Sequence, residues 1–299
     1  MSRIALVALF VGGAATHVDA QLVPDAAKEC DQCAAWNVPQ KPFRIFGDTY
    51  YVGTAELSSI LVAGDGGLIL LDAALPQSTP LIDENIRALG FQPADVRLIV
   101  NSHTHFDHAG GIAALQRATG ATVAASPRAA EALRAGKPTP DDPQFAIANN
   151  GFPRVQDVRV LRDGETLTVG SVQITAHFTP GHTPGGTTWS WRSCEALRCV
   201  DVVYADSLNP VSADDFRFTA STPSIVESYE RSIRTVENLP CDVLLSPHPG
   251  FFGMQEKLAR QAAGETSVFV NPNACRTYAG GARTRLRQRV AQERGAPSP

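Results

Sequence analysis

The chain is poor in several things that would assign a function cheaply. Its 299 residues carry a net charge of -4 and no block of like charge, so neither a nucleic-acid partner nor a charged tail has electrostatic support. No Gly-rich loop joins a strand to a helix to cradle phosphate, and no repeat of 20 to 50 residues marks a solenoid. A serine elbow is also missing, which removes the usual motif of serine hydrolysis. Beyond the N-terminus no apolar run is long enough to cross a bilayer. Histidine is scarce, with seven in the chain. Three of those seven fall within six residues.

That stretch reads Asn101-Ser102-His103-Thr104-His105-Phe106-Asp107-His108-Ala109-Gly110-Gly111. It follows the strand-like Arg97 to Val100 and precedes a helix-like segment from Gly111 to Ala118, which places it on a loop. On an extended backbone, residues two apart point the same way, so His103 and His105 can grip one divalent ion while Asp107 and His108 serve a second. Two more histidines lie on loops stiffened by Pro and Gly, His182 in Thr179 to Gly186 and His248 in Leu245 to Gly250. Either alone would more often cap or pack; beside the cluster both read as ligands.

Met1 to Ala20 has a charged start, an apolar stretch and a small-residue end, the pattern of a secretory signal peptide with the mature chain beginning near Gln21. Six cysteines follow, as suits an oxidising compartment, with 15 connectivities open. Cys194 and Cys199 flank a short turn that a disulfide can clip, and Cys241 is then free for Cys275. Cys30 and Cys33 could be a redox or zinc motif, but without a second pair a local disulfide is favoured.

Strand patterns at Phe43 to Phe46, Thr49 to Gly53, Ser58 to Val62 and Leu68 to Asp72 form a meander, followed by a helix over Pro80 to Leu89. After the cluster come a strand at Thr122 to Ala125, a helix at Arg128 to Ala135, and an aperiodic loop from Pro138 to Pro153 of the kind that covers sites. A second strand set runs from Val158 to Tyr204, including Thr187 to Trp191 and Val200 to Tyr204. Helices over Ser224 to Leu239, Met254 to Ala263 and Ala274 to Glu293 close the chain around a strand at Val243 to Leu245. Strands then helices, twice, suits two sheets packed face to face with helices outside both.

With these residues in order, His-x-His-x-Asp-His, Pro-Gly-His-Thr-Pro-Gly-Gly, Tyr-Ala-Asp-Ser-Leu and Pro-His-Pro-Gly, the chain resembles the metallo-β-lactamase superfamily, and within it subclass B3. Ala205 to Leu208 and the placement of Cys241 and Cys275 carry the subclass. The resemblance implies an α/β fold, the αββα sandwich of two mixed β-sheets with helices on both outer faces, as a single domain over 21–299. It implies two zinc ions, one on His103, His105 and His182 and the other on Asp107, His108 and His248. It implies hydrolysis of the β-lactam amide of penicillins, cephalosporins and carbapenems by a zinc-bound hydroxide, without a covalent intermediate. Asp107 would also orient that hydroxide.

Thr183, Ser207 and Asn209 are the residues expected to contact the substrate carboxylate, although Asn209 stands where the family leads one to expect serine or threonine. If Asp206 bridged the metals instead, a lactone, thioester or phosphodiester would be the substrate. A zinc-binding module without activity is the third reading, and three imidazoles leaving a fourth position open count against it. A periplasmic or secreted monomer is expected, with a small-molecule β-lactam substrate, no nucleic acid and no membrane anchor. Phe145, Phe152 and the Pro138 to Pro153 loop are expected to form an apolar wall, His177 is given no role beyond packing or supporting a neighbour, and Trp189 and Trp191 are expected as core or sheet-surface residues rather than substrate platforms.

Overall fold

The computed structural model describes residues 22–221 and 224–295, so the leader expected over 1–20 lies outside the described residues. A short helix, α1 (Cys33–Trp36), precedes β1 (Phe43–Phe46), β2 (Thr49–Tyr51), β3 (Ile60–Gly64) and β4 (Gly67–Leu71). These four strands are antiparallel neighbours. Then α2 (Thr79–Ala88) leads to β5 (Val96–Val100), α3 (Phe106–Ala109) and α4 (Ile112–Thr119) to β6 (Thr122–Ala125), and α5 (Pro127–Ala135) to β7 (Val158–Val160). From β4 to β7 the pairing is parallel, which requires those helical crossovers. All seven strands lie in sequence order in one sheet.

The second sheet holds β8 (Thr166–Val169), β9 (Val172–Phe178), β10 (Thr187–Glu195), β11 (Arg198–Tyr204) and β12 (Val243–Leu245), in the order β12-β11-β10-β9-β8. Its helices are α6 (Ile225–Asn238), α7 (Met254–Ala262) and α8 (Ala274–Glu293). The result is the αββα sandwich.

Strand alternation explains how one sheet serves two layers. Along β4, Leu68 and Leu70 join the cluster formed with Ile82, Ile86, Ile112, Leu115 and Leu133 of the first helical layer. Their neighbours Ile69 and Leu71 join the cluster that contains Ile174, Trp189, Trp191 and Val202 of the other sheet. Each of these four β4 residues is at most 3% exposed, and truncating one to alanine would cost about 2–5 kcal/mol. Of the two places open to them, core or sheet surface, Trp189 and Trp191 take the core.

The helices begin and end where the sequence punctuates them. Ser126 accepts a hydrogen bond from the Ala129 amide, Pro127 opens α5, and Gly136 closes it at φ +70°, a left-handed conformation that glycine adopts without strain. In α6, Tyr229, Ile233 and Val236 form the buried stripe. The β10–β11 hairpin is longer than its apolar runs indicated, because charged Arg192, Glu195 and Arg198 continue the ladder into solvent. Cys194 and Cys199 face each other there and are bonded. Disulfides also join Cys30 to Cys33 and Cys241 to Cys275, the latter fastening α8 beside β12. Among the described residues, no helix is long and apolar enough to cross a membrane.

Candidate metal centre

The His103 to His108 segment leaves β5 extended and turns helical at Phe106, so one short run presents donors in two directions. His105 is still extended (φ -89°, ψ 155°), which keeps it beside His103, whereas Asp107 and His108 ride on α3. His182 arrives on the loop between β9 and β10, closed by the Thr179 amide donating to the Gly186 carbonyl at 2.8 Å. Gly186 has no substitute there: a Cβ would come 2.2 Å from an Asp206 carboxylate oxygen. His248 follows β12.

Two donor sets result, His103 with His105 and His182, and Asp107 with His108 and His248, the donor atoms of each lying within 4.8 Å of one another. In the second set the Nε2 atoms of His108 and His248 are 3.2 Å apart, and the Asp107 carboxylate is 3.1 Å from the former and 3.4 Å from the latter. All six expected ligands are therefore brought together.

The far side of four of the five imidazoles is also held. His103 Nδ1 lies 2.9 Å from Asp206, His105 Nε2 lies 3.2 Å from Asp142, and His182 Nδ1 donates to the Asn209 carbonyl at 2.7 Å. His248 Nδ1 donates to the Glu56 carbonyl at 3.3 Å, whereas His108 Nδ1, 4.0 Å from Asp72, is buried without a hydrogen-bond partner. The opposite nitrogens remain as acceptors: His105 Nδ1 faces the Gln144 side-chain amide at 3.4 Å, and His103 Nε2 is buried without a hydrogen-bond partner. An orphaned acceptor surrounded by imidazoles fits a cation, and a carboxylate with two imidazoles fits a second.

Electrostatics agree with ligand duty. Burial, then the neighbouring imidazoles, holds His103 and His182 well below the usual histidine range, so both stay neutral. Burial would raise Asp107, but His108 and His248 outweigh it and keep the carboxylate ionised. For His105 and His248 burial lowers the pKa, while Asp142 and Asp107 respectively more than restore it. Asp206 is pushed well above the carboxylate range, mainly by burial.

A cavity of about 290 Å³ opens over the ligands, lined by His105, Asp107, His182 and His248 together with Ser207 and Asn209. Thr183 is fully buried and does not line it. Asp206 belongs to neither donor set; it stands behind His103, so it does not bridge. The Pro138 to Pro153 loop does line the cavity, through Gln144, Ile147 and Asn150, but not through its phenylalanines: Phe145 is 41% exposed and Phe152 packs into the helical-layer core. Trp36, Phe106, Val211 and Phe251 complete the apolar wall with Ile147. His177, given no role in the site, packs half-buried on β9 with its Nε2 2.8 Å from the Ser190 hydroxyl.

A model of the metallo-β-lactamase superfamily matches residues 55–248. The chain belongs to this superfamily. The Rm3 metallo-β-lactamase is 51% identical, covering 89% of this chain and 99% of its own, with a TM-score of 0.87. MEM-A1, a subclass B3 metallo-β-lactamase from a soil metagenome library, is 45% identical over 87% of this chain and 99% of its own, with a TM-score of 0.84. An acyl-coenzyme A thioesterase, MBLAC2 of Gallus gallus, is 27% identical over 238 residues, 74% of this chain and 82% of the relative. As a metallo-β-lactamase, the chain groups with the B3 structures in fold and sequence, and its two donor sets suit the two zinc ions of the family.

Sequence reading missed the supports. Asp72 takes hydrogen bonds from the Ser102 amide and hydroxyl, at 2.7 and 2.6 Å, and lies at φ +59°, a strained position for a residue with a side chain. Tyr278 of α8 donates to the Asp206 carbonyl at 2.7 Å and accepts from the Leu208 amide at 3.1 Å. A lone aspartate after an apolar strand, and a tyrosine one turn past a bonded cysteine, were the only local signals.

Proposed function

We propose that this protein hydrolyses the cyclic amide of penicillins, cephalosporins and carbapenems, with zinc held by His103, His105 and His182 and by Asp107, His108 and His248. The supporting observation is the convergence of two three-donor sets, from both halves of the chain, on one cavity with apolar residues in its walls. When bound, two zinc ions supply Lewis acidity, a water-derived nucleophile at neutral pH and charge stabilisation for the breaking bond.

The protein's own share is positioning. Asp107, kept ionised, accepts a hydrogen bond from the attacking water and fixes its direction. Trp36, Phe106, Ile147, Val211 and Phe251 exclude bulk water and hold the fused rings of the substrate. Ser207 and Asn209, which line the same cavity, would donate to the substrate carboxylate. Thr183 acts through the His182 loop and not by contact. Every cysteine is bonded, which leaves no thiol to form a covalent intermediate.

Three disulfides fit export, and we read the protein as a periplasmic or secreted single-domain monomer. Turnover of one member of each β-lactam class, measured beside a lactone, an acyl thioester and a phosphodiester, tests the substrate. Hydrolysis of β-lactams lost on chelation and restored by zinc supports the reading. Inertness toward all three classes with brisk cleavage of the lactone or thioester defeats it.

A further inference from the structure

The loop from Pro138 to Pro153 does more than border the cavity. Asp142 on this loop is 2% exposed, and its Oδ1 lies 3.2 Å from His105 Nε2. The same oxygen accepts the Gln144 amide at 2.8 Å, and the Asp142 amide donates to the Thr139 carbonyl at 2.9 Å. Its Oδ2 is buried without a partner, so the carboxylate has no competing donor on that side. Gln144, Ile147 and Asn150, from the following residues, line the cavity.

The loop is in turn tied down at its far end. Lys28 Nζ donates to the Gly151 carbonyl at 2.7 Å and to Asn149 Oδ1 at 3.2 Å, and Asn149 Nδ2 donates to the Glu29 carbonyl at 3.1 Å. The Ala213 amide holds the Pro143 carbonyl at 2.9 Å, and Arg128 pairs with Asp141. A segment this well anchored can hold a side chain in register with a ligand.

We infer that Asp142 is a positioning residue for the first metal site: by accepting the His105 Nε2–H it fixes the tautomer that turns Nδ1 toward His103 and His182, and it couples the wall of the cavity to that ligand. The inference rests on the proposed ligand set. Removing the carboxylate frees the imidazole to rotate and to place its proton on the inward nitrogen, which cannot then bind a cation. The effect falls on one site of two. His108 and His248 make no contact with Asp142, so the second set keeps its geometry.

The test is zinc binding by competition with a chromophoric chelator, on the full protein, for Asp142→Ala, Asp142→Asn and His105→Ala, alongside thermal unfolding of each zinc-free form. Asp142→Ala is expected to weaken one zinc about 10- to 100-fold and leave the other within about threefold. Asp142→Asn, whose amide oxygen still accepts the His105 proton, is expected to fall between Asp142→Ala and the parent, with the zinc-free unfolding temperatures alike. Parent-like affinity in both Asp142 variants overturns the inference while leaving the ligand set standing. Equal weakening of both sites together with a destabilised zinc-free protein also overturns it, since the loop would then act only as structure. If His105→Ala still binds two zinc ions like the parent, the ligand set itself fails and takes the inference with it.

Discussion

The Tyr204 hydroxyl donates to the Asp72 carboxylate across 2.6 Å, a wholly buried hydrogen bond that ties the second sheet to the first beneath His108. Tyr204→Phe removes the donor and leaves a buried carboxylate short of a partner. The expected loss is about 1–3 kcal/mol of stability, read from the denaturant midpoint at unchanged slope. An unchanged midpoint would mean that Asp72 is satisfied by Ser102 alone.

The end of α8 should be one acid-sensitive point of the fold. Burial would raise the Glu293 carboxyl, but the Thr219 amide, the Arg289 guanidinium and the Phe218 amide outweigh it and hold it below the usual range. A carboxylate depressed in the fold contributes stability above its unfolded pKa, about 4.3, and loses that contribution as pH falls through its folded value. Glu293→Gln should therefore cost about 1–2 kcal/mol near neutrality, and progressively less as the medium is acidified. A stability gap that widened on acidification would have the wrong sign.

The bond between Cys241 and Cys275 spans 34 residues and anchors the helix that carries Tyr278. Replacing both, Cys241→Ser with Cys275→Ala, should lower stability by about 3–4 kcal/mol through the freed unfolded chain. Chemical unfolding of the parent with and without reductant provides the second measurement. Equal midpoints for the parent and the double variant would contradict the expectation.

Trp36 reaches the cavity from the N-terminal arm, its ring 5.8 Å from that of His248 and 6.2 Å from that of Phe106. Trp36→Ala should lower kcat/KM on β-lactams about 10-fold, chiefly through KM, with zinc content unchanged. A loss of zinc instead would recast Trp36 as a support for His248.

The ligands were legible in the sequence because they are local: four of six fall between His103 and His108, and the other two sit on loops whose Pro and Gly residues betray rigid turns. Strand positions were equally readable, since β4 is a short continuous apolar run, Leu68 to Leu71, that follows a Gly-Asp-Gly-Gly turn. What the sequence hid depends on three-dimensional meeting. Asp142 looks like any acidic loop residue until the loop folds over His105, and Trp36 lies in an arm that reads as polar. Asp206 was ambiguous between bridging and backing because both need a carboxylate at the strand end; only its side of His103 decides.

The most direct measurement is anomalous zinc scattering from crystals of the protein grown with zinc. Two peaks are expected, one at ordinary zinc–nitrogen distance, about 2.0–2.1 Å, from His103, His105 and His182, and the other bound by Asp107, His108 and His248. A single peak, or a pair bridged by Asp206, would contradict the assignment.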